Sequence, residues 1–278
     1  YYGHISALKA GMMGAQALTT VSPTYASELA TPEFGMGLEG VIRARAHDLS
    51  GILNGIDTQT WDPATDPAIK PFSAPGGKAV NSRALRAEFG LDRQGGPLCI
   101  VVSRLSDQKG LDLLLEALPA LIDAGGQLAL LGSGDRRLEN AWLNAAARHP
   151  GRVGVRIGYD ETLSHRMFAG ADAVLVPSRF EPCGLTQLYG LRYGALPVVA
   201  RTGGRADTVI HANSAALAAG CATGITHRPG DVPALQDALR LFQRLQRNAM
   251  KHPVGWEASA PVYAALYARL TDATRETA

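Results

Sequence analysis

The chain has 278 residues, 46% of them hydrophobic and 19% charged, with a formal net charge of +2 at pH 7. That is enough apolar material for one large domain or one and a half. It is too little positive charge for bulk attraction to nucleic acid, and no apolar run reaches membrane-spanning length.

The cysteines, Cys99, Cys183 and Cys221, are far apart and form no Cys-x-x-Cys pattern, which speaks against zinc and against a disulfide framework. A reducing, cytoplasmic setting fits best. There is no aromatic stripe for stacking single-stranded bases, and neither a nucleic-acid nor a membrane partner is expected. Tyr1 opens no charged-then-apolar secretory signal, and a start without Met reads as a mature form or a piece of a longer chain.

In chain order, the first thirty residues read as a helix (Ile5, Leu8, Met12), a strand from Ala17 to Val21, and a second helix from Ser22–Pro23. This is half of an α/β unit with no sheet before it to join. Residues Thr31 to Gly51 look like loop plus a short helix. Ile52 to Asp57 reads as a strand edge entering a turn at Asn54–Gly55. Trp61 to Gly77 carries four prolines and an adjacent glycine pair, which predicts an irregular surface crossing. Asn81 then caps a helix to about Phe89, closed by Gly90.

From Pro97 the pattern becomes regular. Strands are expected at Leu98–Val102, Gln127–Leu131, Val153–Ile157, Ala173–Val176 and Leu196–Ala200, with a weaker sixth at Gly224–His227. Helices alternate with them, at Leu111–Asp123, Arg136–Arg148 and from Gly184 through Leu185, Leu188 and Leu191. Alternation of this kind predicts an α/β fold with a doubly wound parallel sheet. Pro119 inside the first of these helices predicts a kink. An amphipathic helix from Trp256 to Leu270, with Val262, Leu266 and Leu270 on one face, closes the chain.

Ligands of open α/β sheets sit beyond the carboxyl ends of the strands, so the polar groups there are the candidates. After the first regular strand come Arg104 and Lys109, which would clamp a diphosphate or stand as solvated loop cations. After the second comes Gly132-Ser-Gly134-Asp135, a bare turn that lets a ligand approach the backbone. It is not the dinucleotide fingerprint, because Arg137 stands where a third glycine would be. After the third comes Tyr159, which would stack on a base or simply cover the sheet edge. After the fourth come Arg179, Glu181, Cys183 and Gly184, with a helix start whose unpaired N–H groups suit a phosphate. The Cys183 thiol there reads either as acidified and reactive or as a small residue packed under the loop. There is no phosphate loop of the G-x-x-x-x-G-K-[ST] type and no nucleophile elbow. No Asp-x-Asp pair exists, so no obligatory metal is expected.

The segments SRLSDQKGLDLLLEALP, LALLGSGD, VPSRFEPCGLTQLYGLRYG and ARTGGRADTV, preceded by TTVSPTYASEL, PEFGMGLEG and ILNGID, resemble the bacterial glycogen synthase family, the ADP-glucose-dependent glycogen/starch synthases. The resemblance runs from about Gly3 to about Leu270. It implies a retaining, two-domain GT-B glycosyltransferase with Rossmann-like halves, which moves glucose from ADP-glucose to the non-reducing end of an α-1,4-glucan. No cofactor is implied beyond the donor substrate. Carried onto this chain, Arg104 and Lys109 would bind the diphosphate, and Glu181 would sit beside the transferred sugar. Gly184, Leu185 and Thr186 would form the phosphate cradle with Cys183 at its lip, Gly134 would line the donor site, Tyr159 would contact adenine, and Asn54 would lie in the cleft near glucose. The second Glu found in related transferases falls at Tyr189, as in the starch synthase branch, implying a packing or base-adjacent role.

On the same resemblance, residues 1–51 match the end of the N-terminal catalytic domain, 52–255 a nucleotide-sugar-binding domain, and 256–278 a C-terminal helix and tail. The opening Lys-x-Gly-Gly loop and a cleft histidine of the family fall in a missing N-terminal domain. The segments between Leu239 and Met250 and around Pro71 to Lys78 are shorter than the family pattern. Two alternatives stay open: a related UDP-sugar transferase, and a catalytically silent nucleotide- or glucan-binding module.

Overall fold

The computed structural model describes residues 5–227 and 254–276. The segment between Leu239 and Met250 lies outside them. The centre is a parallel sheet of six strands: β3 (Leu98–Val102), β4 (Gln127–Gly132), β5 (Val153–Ile157), β6 (Ala173–Val176), β7 (Leu196–Ala200) and β8 (Ile225–His227). Their spatial order is β5-β4-β3-β6-β7-β8. Within this sheet the chain starts at β3, winds outward to β5, then returns to β6 and winds the other way. That reversal between β3 and β6 is the doubly wound, Rossmann-type switch point.

Strand residues alternate between two cores, as pleated strands require. Leu98, Ile100 and Val174 pack with Leu85, Phe168, Leu188 and Leu191 of α4 (Ala79–Glu88), α7 (Glu161–Gly170) and α8 (Thr186–Tyr193). Cys99, Val101 and Leu175 face the other way, onto Leu114, Leu121 and Trp142 of α5 (Leu111–Asp123) and α6 (Arg136–Arg148), and Ala216 of α10 (Ser214–Ala218). Each buried Leu, Ile or Phe stabilises the fold by about 1.5–3 kcal/mol. The sheet is therefore apolar on both faces, which leaves its carboxyl edge as the place for polar chemistry.

The regular half matches the expected elements nearly residue for residue; the irregular half does not. Trp61 to Gly77 is no surface crossing, because Trp61, Asp66 and Phe72 are buried. Asn81 lies inside α4 rather than capping it, and its side chain accepts from Lys70 N and donates to Lys70 O. The 3₁₀ turn before α4 buries Lys78, whose Nζ donates to Tyr193 O at 2.6 Å and Phe168 O at 2.9 Å. Those are last-turn carbonyls of α8 and α7, which lack helical partners, so one ammonium serves two helix ends. α5 runs through Pro119 as one helix. The closing helix, α11 (Trp256–Glu276), buries Leu266 but leaves Val262 50% exposed, so the expected apolar stripe is narrower than its spacing implies.

The first part of the chain forms α1 (Ala7–Gly14), β1 (Leu18–Thr20), α2 (Pro23–Leu29), α3 (Glu39–Ala44) and β2 (Leu49–Gly51). β1 does have a partner: it pairs in parallel with β2, Leu18 opposite Leu49 and Thr20 opposite Gly51. The strand expected at Ile52–Asp57 thus falls a few residues early. Ser22 caps α2 with Pro23 at its first turn, as its sequence dictates. This segment is fastened to the central sheet through α9 (Gly204–Thr208). Ser22 Oγ and Thr24 Oγ1 both donate to the Asp207 carboxylate at 2.6 Å, and Thr202 Oγ1 donates to Glu28 at 2.8 Å.

Candidate active site

Two loops leave the sheet where the strand order reverses, one after β3 and one after β6. They are stitched together by one backbone hydrogen bond, one side-chain amide and a close backbone approach. Arg179 N donates to Gln108 O at 2.9 Å and Gln108 Nε2 to Phe180 O at 3.3 Å. Gly110, at φ 63, lies so close that a Cβ there would sit 2.3 Å from Pro177 O. Lys109 precedes this glycine directly, so the tight approach delivers its side chain to the second loop. There its ammonium forms an ion pair with Glu181. Ser178 Oγ also donates to Glu181 Oε2, at 3.4 Å.

Beside these loops is a cavity of about 330 Å³, within the usual range for ligand sites. Val102, Ser103 and Arg104 wall one side, Gly132 and Ser133 a second, and Gly158 to Glu161 a third. Thr186 and Tyr189 of α8 complete it, over a floor that includes Trp61 and Phe168. Arg104 is exposed and makes no ion pair among the described residues. Tyr159 is 86% exposed, its hydroxyl donating to Glu161 Oε2 at 3.2 Å. The N-terminus of α8 adds first-turn N–H groups that no helical carbonyl satisfies. Gly184 precedes it at φ 72, a conformation that disfavours any side chain.

Arg104, Tyr159 and Thr186 therefore line the cavity, while Lys109, Glu181, Cys183, Gly184 and Leu185 stand in the same loops around it. The helix starts at Thr186 rather than at Gly184. Two other expected residues sit differently. Gly134 N donates to Glu139 Oε1 at 2.9 Å, and a Cβ on it would meet Leu105 O at 2.3 Å. Its bareness lets two loops touch, and Gly132 and Ser133 are what the cavity sees. Asn54 lines a separate cavity of about 60 Å³ with Leu188, Asp207 and Thr208, and its backbone N–H faces the Cys183 sulfur.

The Arg179 guanidinium turns away from the site. It makes a two-pronged pair with Asp112, at 2.8 and 2.6 Å, and also reaches Asp107. That leaves Arg104 and Lys109 as the cations of the crevice. Cys183 is buried, and burial pushes its thiol up from the ordinary value, opposite to an acidified nucleophile. It is a packing residue.

The irregular stretch contributes what sequence patterning did not reveal. Trp61 is sandwiched between His165 (centroids 3.8 Å apart) and Tyr189 (3.9 Å). Beneath it Asp66 accepts from the Tyr193 hydroxyl at 2.5 Å and meets His165 Nδ1 at 2.7 Å. His165 is thus a buried supporting residue, and Tyr189 is half-buried against Trp61. A tryptophan in a proline-rich run was the one available signal. Among the described residues no cluster of three or more His, Cys, Asp or Glu is arranged to hold a metal ion.

Comparison with known proteins gives the family and the fold. Residues 96–243 match the family model described as glycosyl transferases group 1, and residues 1–44 match the starch synthase catalytic domain. The chain is 62% identical over 277 residues to a glycogen synthase of Paracoccus denitrificans, covering 96% of this chain and 58% of that protein. A glycogen synthase of Cereibacter sphaeroides is 60% identical over 282 residues, with 97% and 58% covered. Among solved structures, the catalytic domain of starch synthase IV from Arabidopsis thaliana, bound to ADP and acarbose, superposes with a TM-score of 0.86. It is 34% identical, with 94% of this chain and 57% of that chain covered. A sucrose-phosphate synthase from Thermosynechococcus elongatus, at 22% identity and TM-score 0.66, shares the fold. The architecture is accordingly the α/β, GT-B-like glycosyltransferase fold. The chain spans a little over half the length of the curated relatives it matches, 58% of each of these two.

Proposed function

The chain belongs to the glycosyl transferases group 1 family, and on that premise we propose that it carries the donor half of a glycogen synthase, a retaining transferase that moves glucose from ADP-glucose to the non-reducing end of an α-1,4-glucan. One observation carries this reading: Arg104 and Thr186 at the start of α8 line one cavity at the reversal of strand order, and the Lys109–Glu181 pair joins the two loops beside it. The ADP and acarbose of the Arabidopsis relative support a nucleotide diphosphate and a glucan as ligands.

The chemistry follows from the charges. Breaking the bond between sugar and phosphate puts negative charge on the departing diphosphate and positive charge on the ring carbon. Arg104 and Lys109 neutralise the first, helped by the N–H groups opening α8; Glu181 faces the second. Such fixed groups act without reorganising at the moment of reaction. Tyr159 offers an exposed ring at the cavity mouth for the base. Charge neutralisation by side chains and amides leaves no step that calls for a metal.

Calorimetric titration tests the reading. The 278-residue chain should bind ADP and ADP-glucose more tightly than UDP-glucose, and a chelator should leave the binding unchanged. No measurable ADP binding would refute the donor site, and equal or tighter UDP-glucose binding would favour the UDP-sugar alternative. A binding module without turnover is the second reading, favoured by the 58% share of the relatives' length. The chain alone should bind nucleotide without elongating glycogen, and radiolabelled glucose incorporation by it would exclude that reading.

A further inference from the structure

Arg205, in α9, is a buried charged group at this edge of the sheet that the reaction does not use. It is fully buried, at 0% exposure. Nη1 donates to Val176 O at 3.0 Å and Nη2 to Ser178 O at 3.3 Å, while Nε finds no acceptor. A buried guanidinium satisfied only by carbonyls is costly, and a nearby negative charge offsets part of that cost. Glu181 and Glu28 are the acidic groups whose fields reach it.

The geometry ties Arg205 to Glu181 through one residue. Ser178 accepts from Arg205 with its carbonyl and donates to Glu181 with its hydroxyl. The turn before Arg205 presses on the same carboxylate residue: a Cβ on Gly203, at φ 49, would lie 1.7 Å from Glu181 O. Glu181 thus has a cation on each side. Lys109, from the turn before α5, makes the direct contact; Arg205 stands behind the loop. The other charged or titratable groups around it are the Cys183 thiol on its own loop, Asp207 of α9, held by Ser22 and Thr24, and Glu28 of α2, held by Thr202 and Gly203.

Lys109 has two claims on it. A diphosphate gripped by its ammonium draws it off Glu181, a residue only 8% exposed. A buried carboxylate that loses its cation while an anion arrives beside it is strongly disfavoured and escapes by taking up a proton. A protonated Glu181 has no charge to set against the ring carbon. Lys109 can move to the ligand; Arg205, pinned by two carbonyls, cannot.

We infer that Arg205 is a positioning residue for Glu181, holding its negative charge in place once a donor diphosphate has drawn Lys109 away. The inference rests on the nucleotide-sugar reading above and extends it to a group that touches neither substrate nor reacting atoms.

The test is calorimetry of ADP binding near pH 7 in two buffers of different ionisation enthalpy, which counts protons taken up per ADP bound. Arg205→Gln keeps a donor for the carbonyls without the charge, and Arg205→Met keeps the stem's bulk. Relative to the parent chain, either variant should take up extra protons on binding ADP, up to about one per ADP, by linkage. Adding Glu181→Gln should abolish the excess, and Arg205→Lys should restore the parental count. Glu181→Gln alone should bind ADP more tightly, since Lys109 is then free beforehand. An unchanged proton count in the folded Arg205 variants overturns the inference and leaves the donor site standing. Absence of ADP binding in the parent chain overturns both. If Gln and Met both prevent folding, recovery by Lys supports a requirement for charge, and failure of Lys as well overturns it in favour of packing.

Discussion

Lys109 pairs with a carboxylate of its own protein and, in the proposed donor site, also meets the diphosphate, so its removal should act twice. Lys109→Ala deletes a phosphate contact and also leaves Glu181 facing the incoming diphosphate with one cation fewer. ADP binding by calorimetry should weaken by roughly tenfold or more, about 1.4 kcal/mol. In a turnover assay of the complete transferase the loss should reach about 2.7–4 kcal/mol, as for a deleted oxyanion donor. Retention of parental affinity would remove Lys109 from the site. The cysteines separate on burial alone. Cys99 is buried and its thiol pushed up to about 12, Cys183 is buried and raised, and Cys221 is exposed. Since the thiolate is the reactive form, iodoacetamide at neutral pH should label Cys221 in the folded chain and spare the other two, as read by peptide mass spectrometry. Fast labelling of Cys183 would restore the reactive reading.

At the scale of elements, the site is a junction between two loops rather than a property of either. Gly110 makes that junction possible, with positive φ and no room for a side chain against Pro177 O. Gly110→Ala should lower stability by about 1–3 kcal/mol, from strain at that conformation. It should also weaken ADP binding, because Lys109 and Gln108 shift with the turn; a melting curve and a titration unchanged from the parent would show that the loops meet for other reasons. The strands and helices from Leu98 onward were legible because β3, β4, β6 and β7 are largely apolar runs buried almost throughout, and the helices between them meet breakers such as Gly125. Arg104, Lys109 and Glu181 were candidates because strand ends in such a sheet face one crevice, and Thr186 entered only through the family resemblance. The rest was not. Arg179 belongs to the same loop as Glu181, and only packing reveals that Asp112 claims it. Trp61 and Asp66 lie in a proline-rich stretch without periodicity, so nothing local marks them as core. β2 is three residues long and exists only because β1 lies beside it. Arg205 reads in sequence as an ordinary helix cation.

For the whole molecule, one buried lysine couples folding to pH. Desolvation brings Lys78 from 10.5 down to about 7. The folded state therefore binds fewer protons than the unfolded state between about pH 7 and 10.5, and this contribution to stability rises with pH through that window, being complete only above the unfolded value. The slope from one such group is at most about 1.4 kcal/mol per pH unit. Lys78→Met should flatten it: denaturation midpoints measured from pH 7.5 to 9.5 should climb less in the variant than in the parent. Parallel curves would mean that Lys78 stays charged between its two helix ends. The same core holds Trp61 between two rings, and Trp61 also lines the candidate cavity. The remaining tryptophans differ in kind, Trp142 fully enclosed and Trp256 45% open to water. Emission from the indole at residue 61 should consequently respond to cavity occupancy while the other two report a constant background, giving the protein a built-in optical signal for saturation that needs neither dye nor turnover. With Trp61→Phe that signal should vanish while calorimetric heat persists.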